Sequence, residues 1–239
     1  MSIGAKMPNP LYTFLVTRVV PLIGMLAGSF NSAAAQFNLS DANYSVCDKL
    51  TGESVCIAVR MTGKIEPGDS AKLEQTIEKL ESAGVRNTRA RVAAVFLDSS
   101  GGSVAEALTI GRFIRARQIW TQVGVNDRCA SSCVLVLAGG VARFPFGTVE
   151  VHSFYSPEVL GSGDFSKAEK MYTEIAEQIA AYLKEMRVTT ALLDEMMQIP
   201  HYTSRQLKFE EIKRFGLFGM DPVYAQVRPQ PKSRKSEQR

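Results

Sequence analysis

Two adjacent serines, a glycine pair and a histidine are the residues of this chain whose types and spacing could do chemistry. They fall in three segments: Asp98-Ser-Ser-Gly-Gly-Ser-Val104, Cys129-Ala-Ser-Ser-Cys-Val-Leu-Val-Leu-Ala-Gly-Gly140 and Val149-Glu-Val-His152. Serine is a poor nucleophile until a neighbouring base takes its proton, and the oxyanion it generates needs fixed N–H donors. Ser131, opening an apolar helix, would be the alcohol, and His152, ending a later strand, the base. Ser132 is a rival nucleophile. Gly101 or Gly102 can present a backbone N–H, because glycine tolerates positive φ and close approach. The N–H of Ser132 would be the second donor. Together these groups outline an acyl-transfer site.

Each residue also has a plainer role. Serines at helix starts are usually caps, a glycine pair can be no more than a tight strand-to-helix turn, and His152 can be a satisfied half-buried histidine. His201, after Pro200, reads as a loop residue rather than a base. Trp120 reads as a packing residue at a strand edge. Asp98 is expected to bond local backbone N–H groups in its turn.

The elements that must position the site follow from apolar periodicity. Residues 55–62 and 92–97 read as strands, the second apolar throughout, as a strand buried on both faces requires. Asp69 or Ser70 caps a helix to about residue 82, with Leu73, Ile77 and Leu80 inward. A helix over 104–117 follows the glycine pair, then a strand over 119–125 and a wholly apolar, buried helix over 131–138. Short strands over 142–146 and 148–154 place Glu150 and His152 on one face. A loop over 156–163 precedes a long helix over 165–186 whose stripe Met171, Ile175, Ile179, Tyr182 and Met186 is core. Thr189 or Thr190 caps a further helix ending before Pro200, and residues 207–215 form a last one before Gly216. This alternation argues for an α/β fold with parallel sheet covered by helices.

Residues 1–35 read as a cleaved export signal, with Lys6 and Arg18 as the only charges before Asp41 and small residues at Asn31-Ser-Ala-Ala-Ala35. The apolar stretch is shorter than the ~20 residues of a membrane span, so an uncleaved anchor is the less favoured alternative. Residues 36–221 suit one domain, and 222–239 a basic, solvated, disordered tail. Of the formal charge of +4, the signal and the tail hold more than all, leaving the body at −2. Nucleic-acid binders carry positive charge on the folded surface, so nucleic acid is not an expected partner. Membrane contact is expected only through an uncleaved signal.

The four cysteines fit an oxidising compartment, periplasmic or secreted. Cys129 and Cys133 lie one helical turn apart, at a Cα separation of ~6 Å that a disulfide spans. Cys47 and Cys56 flank a turn-rich segment that a bridge would close. Local pairing is therefore expected. Zinc is disfavoured by the loose cysteine spacing and by only two histidines. No metal and no cofactor is expected.

These motifs carry a resemblance. Asp98-Ser-Ser-Gly-Gly-Ser103 resembles the Asn-Ser-Pro-Gly-Gly turn of the Clp protease proteolytic subunit. Ala130-Ser131 with its apolar helix ending at Gly140 is similar to that family's nucleophile helix, and Val149-Glu-Val-His152 to its strand ending in the base histidine. Leu207-Lys-Phe-Glu-Glu-Ile-Lys-Arg-Phe-Gly-Leu217 is similar to its closing segment. The chain also resembles exported Clp-like bacterial proteins bearing Cys-Ala-Ser-x-Cys. The resemblance implies the Clp protease/crotonase-like spiral of ββα units, with Ser131 as nucleophile, His152 as base, and Gly101 or Gly102 with Ser132 as oxyanion hole. Ser131 is preferred to Ser132 because the Ala-Ser pair falls there and Gly140 keeps its distance.

The chain departs from the pattern where that family has its third-member aspartate, reading Ile199-Pro-His-Tyr-Thr-Ser204. Asp194, Glu195, Glu150 or a backbone carbonyl remain to orient the imidazole. The lysine base of signal peptide peptidase A has no counterpart. A Cys129–Cys133 bridge would straddle Ser131, either rigidifying the helix start or occluding the serine. The expected function is an exported serine hydrolase, a peptidase working through an acyl-enzyme on peptide or protein substrates. The alternative is a catalytically silent domain that holds peptides or builds an assembly. A crotonase-type thioester enzyme suits an exported protein poorly. Relatives of this fold form rings or trimers, which makes a homo-oligomer an expectation.

Overall fold

The computed structural model describes residues 35–39, 54–85, 89–155 and 165–227. Its longest strands, β2 (Ser54–Ile65) and β3 (Arg89–Gly102), are joined through helix α1 (Asp69–Ala83) and pair in parallel from end to end. Both carry consecutive buried apolar residues, Ile57, Ala58 and Val59 in one and Ala94, Val95, Phe96 and Leu97 in the other. Such runs suit strands covered on both faces.

The opposite edge of β3 is shared between two branches. Residues 94–96 pair with β4 (Trp120–Val123), and Ser99 pairs with Cys129 of β5 (Arg128–Ala130). From β4 the sheet runs in parallel to β6 (Ala142–Pro145) and then antiparallel to β9 (Gly219–Met220). From β5 it runs in parallel to β7 (Thr148–Val151) and then antiparallel to β8 (Arg205–Gln206). On the far side, β1 (Gln36–Leu39) pairs antiparallel with β2. The antiparallel pairings thus sit at the edges of a mostly parallel sheet flanked by helices, the fold class expected. The split along β3 sets the Asp98–Gly102 end of that strand beside β5 and β7, which lead to the serines and to His152.

Helices α2 (Val104–Ala116), α3 (Cys133–Gly139), α4 (Phe165–Glu185), α5 (Ala191–Gln198), α6 (Phe209–Phe215) and α7 (Pro222–Val227) complete the described structure. Every residue of α3 is buried, as its unbroken apolar sequence demands. It crosses α2 closely, since a Cβ on Gly139 would stand 2.5 Å from the Cα of Gly111. The buried Tyr182 of α4 donates its hydroxyl to the Leu135 carbonyl of α3 at 2.7 Å. Arg143 is only 3% exposed, and burial pushes its guanidinium down to about 10. It donates to the carbonyls of Ala138 (3.0 Å), Gly216 (2.6 Å) and Met186 (2.6 Å), all at helix C-terminal ends that lack intrahelical partners.

Several local expectations are corrected. The central helix begins at Cys133 rather than residue 131, because Ser131 has φ +57° and lies outside any helix. Ordered structure continues past Asp221, whose Oδ1 accepts the N–H groups of Val223 (2.8 Å) and Tyr224 (3.2 Å) and starts α7 inside the segment read as a tail. Strands β1, β5, β8 and β9 were not foreseen, being two to four residues long. Trp120 packs on Ala58, Ala94 and Phe96, and its ring edge meets Phe144 at 5.9 Å, a packing role as expected. Of the export signal expected over residues 1–35, residues 1–34 lie outside the described residues, as do Cys47, the loop expected over 156–163 and residues 228–239 of the expected tail.

Candidate active site

Ser131 occupies the two-residue turn between β5 and α3, and its left-handed backbone is unusual for a residue with a side chain. That conformation costs about 1–3 kcal/mol and persists only where the surroundings fix it. The surroundings do so here. The Ser131 N–H donates to the Glu150 carbonyl at 3.0 Å, and the Ser131 carbonyl accepts from Val134 N–H at 3.0 Å. The Cys129–Cys133 disulfide spans the turn with Cα atoms 5.3 Å apart. Cys56 is also disulfide-bonded, and no described cysteine is free. Its expected partner, Cys47, is outside the described residues.

Gly101 forms the other wall of the turn. A Cβ there would stand 2.6 Å from the Ala130 carbonyl oxygen, 2.7 Å from the Ser131 Cβ and 2.9 Å from the Ser132 nitrogen. Its φ of +86° also disfavours any side chain. Ser99, 4% exposed, fixes this strand end by donating its hydroxyl to the Gly63 carbonyl (2.5 Å) and accepting the Gly101 N–H (3.1 Å). The Gly101 N–H is therefore engaged, which bears on its expected oxyanion role. Of the expected donors, Gly102 and Ser132 remain, and the Ser132 N–H makes no hydrogen bond to a described residue.

Ser131 and Ser132 face different surroundings. Ser131 is half-buried and lines a cleft of about 630 Å³ together with Gly101, Gly102 and His152, with Ile65, Phe154 and Ile175 among its apolar walls. Ser132 is 1% exposed, does not line that cleft, and its buried hydroxyl has no hydrogen-bond partner among the described residues.

His152 immediately follows β7, with Val149 and Val151 buried and Glu150 and His152 alternating between them toward the half-exposed side. Its Nδ1 lies 2.8 Å from the Ser153 carbonyl oxygen. A carbonyl only accepts, so this contact places the proton on Nδ1 and leaves Nε2 as the basic nitrogen. The same Ser153 residue donates its N–H to the Ile199 carbonyl at 2.8 Å. The stretch after α5 thus reaches the histidine through a backbone link.

None of the three candidate carboxylates hydrogen-bonds His152 among the described residues. Glu150 pairs with Arg128 and accepts from Ser204 Oγ at 2.7 Å. Arg128 holds the Glu150 carboxyl below the usual carboxylate range, with coupling to His152 the least of the causes. Glu195 pairs with Arg205, and Asp194 is exposed at the start of α5. Of the orienting groups expected, a backbone carbonyl is the one that meets the imidazole, while arginines claim Glu150 and Glu195. His201 packs at a tilt against Tyr155 at 4.9 Å and meets Tyr202 edge-on at 5.5 Å, as a loop residue. Asp98 does not cap its own turn. It accepts the N–H of Arg128 (3.3 Å) and pairs with Arg60 (3.3 Å). Among the described residues no cluster of three or more His, Cys, Asp or Glu side chains could hold a metal ion.

Sequence reasoning missed Ser99, and it allowed a backbone carbonyl beside His152 without identifying Ser153 as its source. The first stood inside the quoted turn without a distinguishing signal. The second had none at all, since every residue carries a carbonyl.

No family model and no curated protein matches the chain. Among solved structures it is similar to an asparagine-to-aspartate mutant of ClpP1 from Listeria monocytogenes, at 16% identity and a TM-score of 0.46, covering 70% of this chain and 88% of that one. It is also similar to a serine-to-alanine mutant of a membrane-bound stomatin-specific protease (1510-N), at 16% identity and a TM-score of 0.43, covering 67% of this chain and 75% of that one.

Proposed function

We propose that the chain is a serine hydrolase that cleaves peptides through an acyl-enzyme on Ser131, with His152 as general base. The observation that carries this reading is the shared cleft: Ser131 and His152 both line it, and the imidazole is held with Nδ1 protonated. In the first half-reaction the Ser131 Oγ bonds to the substrate carbonyl carbon and its proton passes to His152 Nε2. The N–H groups of Ser132 and Gly102 receive the oxyanion. Collapse breaks the C–N bond, and the leaving amine takes the proton from His152. Water then gives its proton to Nε2, attacks the acyl carbon, and the proton returns to Ser131 Oγ as the ester bond breaks. A base of this type contributes roughly 100- to 10,000-fold.

Ser131 is preferred to Ser132 because only Ser131 lines the cleft. The disulfide between Cys129 and Cys133 supports work in an oxidising compartment, outside the cytoplasm. Assembly into a homo-oligomer belongs to the same reading, and sedimentation of the purified protein tests it. For the activity itself, peptide turnover is measured in wild type, Ser131→Ala and His152→Ala. The reading expects turnover lost in both variants. Capture of peptide without turnover in the wild type, unchanged by His152→Ala, would favour the silent binding domain instead.

A further inference from the structure

Ser131 is held in the left-handed region at φ +57°, with Gly101 walling its turn. Its main chain makes two hydrogen bonds, to Glu150 and from Val134. The hydroxyl of Ser132, at the N-cap of α3, makes no capping bond and has no hydrogen-bond partner among the described residues. The sequence itself favours continuing the apolar helix back through Ser131, which would remove the turn. What closes the turn covalently is the bridge between Cys129, in register between Ser99 of β3 and Val149 of β7, and Cys133, the first residue of α3. Both cysteines are fully buried, so the bridge is anchored at both ends in the core.

We infer that the Cys129–Cys133 disulfide is the positioning device for Ser131: it ties the end of β5 to the start of α3 and holds the serine in its left-handed turn facing the cleft. Without it, Ser131 relaxes toward the right-handed region and α3 lengthens at its N-terminus, taking the serine out of the wall of the cleft it shares with His152. The catalytic consequence rests on the hydrolase reading; the conformational one does not. Bridge formation removes two electrons and two protons from the two thiols. The acceptor is a disulfide, from a small thiol or a thiol–disulfide oxidoreductase, which leaves as two thiols. Cys129 and Cys133 are positioning residues, touching no reacting atom.

The test compares the oxidised protein with Cys129→Ala/Cys133→Ala and with Cys129→Val/Cys133→Ala, which refills the strand position, in both of which Cys56 is untouched. Amide hydrogen exchange is read over residues 129–135, and the rate of fluorophosphonate labelling is read in parallel. Exchange across the turn is expected to quicken about tenfold or more while the sheet stays protected. Labelling is expected to slow about tenfold or more, as a misplaced nucleophile does. Wild type reduced and then re-oxidised with oxidised glutathione regains both. Where a variant fails to fold, Cys129→Ser/Cys133→Ser, which opens the same bridge with side chains of similar size and leaves Cys56 untouched, supplies the comparison. Unchanged exchange across the turn overturns the inference, whatever the labelling. Quickened exchange with labelling at the wild-type rate overturns it too. Quickened exchange with no labelling even in the oxidised wild type supports the clamp and sinks the hydrolase reading alone.

Discussion

A side chain on Gly101 would bring its Cβ within 2.7 Å of the Cβ of Ser131. The glycine pair after β3 and the serine turn after β5 are therefore two faces of one contact, and the chain can hold the serine in its turn only if position 101 has no side chain.

Gly101→Ala is expected to displace the serine turn, because its contacts are backbone atoms and a fixed Cβ rather than a flexible tip. Fluorophosphonate labelling should slow by about 100-fold, and the thermal midpoint should fall. Gly68→Ala separates strain from displacement. Gly68 also has positive φ, at +93°, but nothing lies within 4 Å of its Cβ position. It should cost only about 1–2 kcal/mol of backbone strain and leave the labelling rate unchanged.

Because a carbonyl rather than a carboxylate bonds the imidazole, Glu150→Gln and Glu195→Gln should keep kcat/KM within about fivefold. An aspartate that fixed the tautomer would cost about four orders of magnitude on removal. Steady-state kinetics decide between them. Glu150 instead contributes to acid stability. Arg128 depresses its folded-state pKa, so the stabilisation is fully present above the unfolded glutamate value and is lost as pH falls through the folded one. Glu150→Gln should flatten the fall of the thermal midpoint below about pH 4.5.

Arg143 is the second structural dependency. Its guanidinium satisfies three carbonyls from three different helix ends in a nearly water-free site. Arg143→Met leaves them unpaired and should destabilise the fold by about 3 kcal/mol or more. Arg143→Lys, which keeps charge but lacks the planar fork, should recover only part of that. Denaturant midpoints measured at constant m-value check both.

Much of this architecture was legible as residues. The apolar run of β3, the glycine pair and the alternation around Glu150 and His152 each express one physical constraint on a few consecutive positions. What escaped was set by distant context. Ser131 reads as helix because the apolar sequence behind it is helical, yet its N–H bond to the Glu150 carbonyl, contact with Gly101 and the disulfide hold it in the turn before α3. Strand β5 has three residues, too few for periodicity to register, and exists because Cys129 pairs with Ser99 and Val149. The orienting group of His152 is a carbonyl, chemically the same at every position, so no residue type announces it. Two of the three carboxylates that looked available, Glu150 and Glu195, are committed to Arg128 and Arg205, arginines outside their own elements.

The most direct measurement is mass-spectrometric mapping of a fluorophosphonate adduct on the oxidised protein, in wild type, Ser131→Ala and Ser132→Ala. The Ser132 hydroxyl is buried without a partner, so Ser132→Ala should fold at least as stably as wild type. The account predicts the adduct on Ser131 in wild type and Ser132→Ala, and none in Ser131→Ala. An adduct on Ser132, or an unmodified Ser131 after exhaustive labelling, would contradict it.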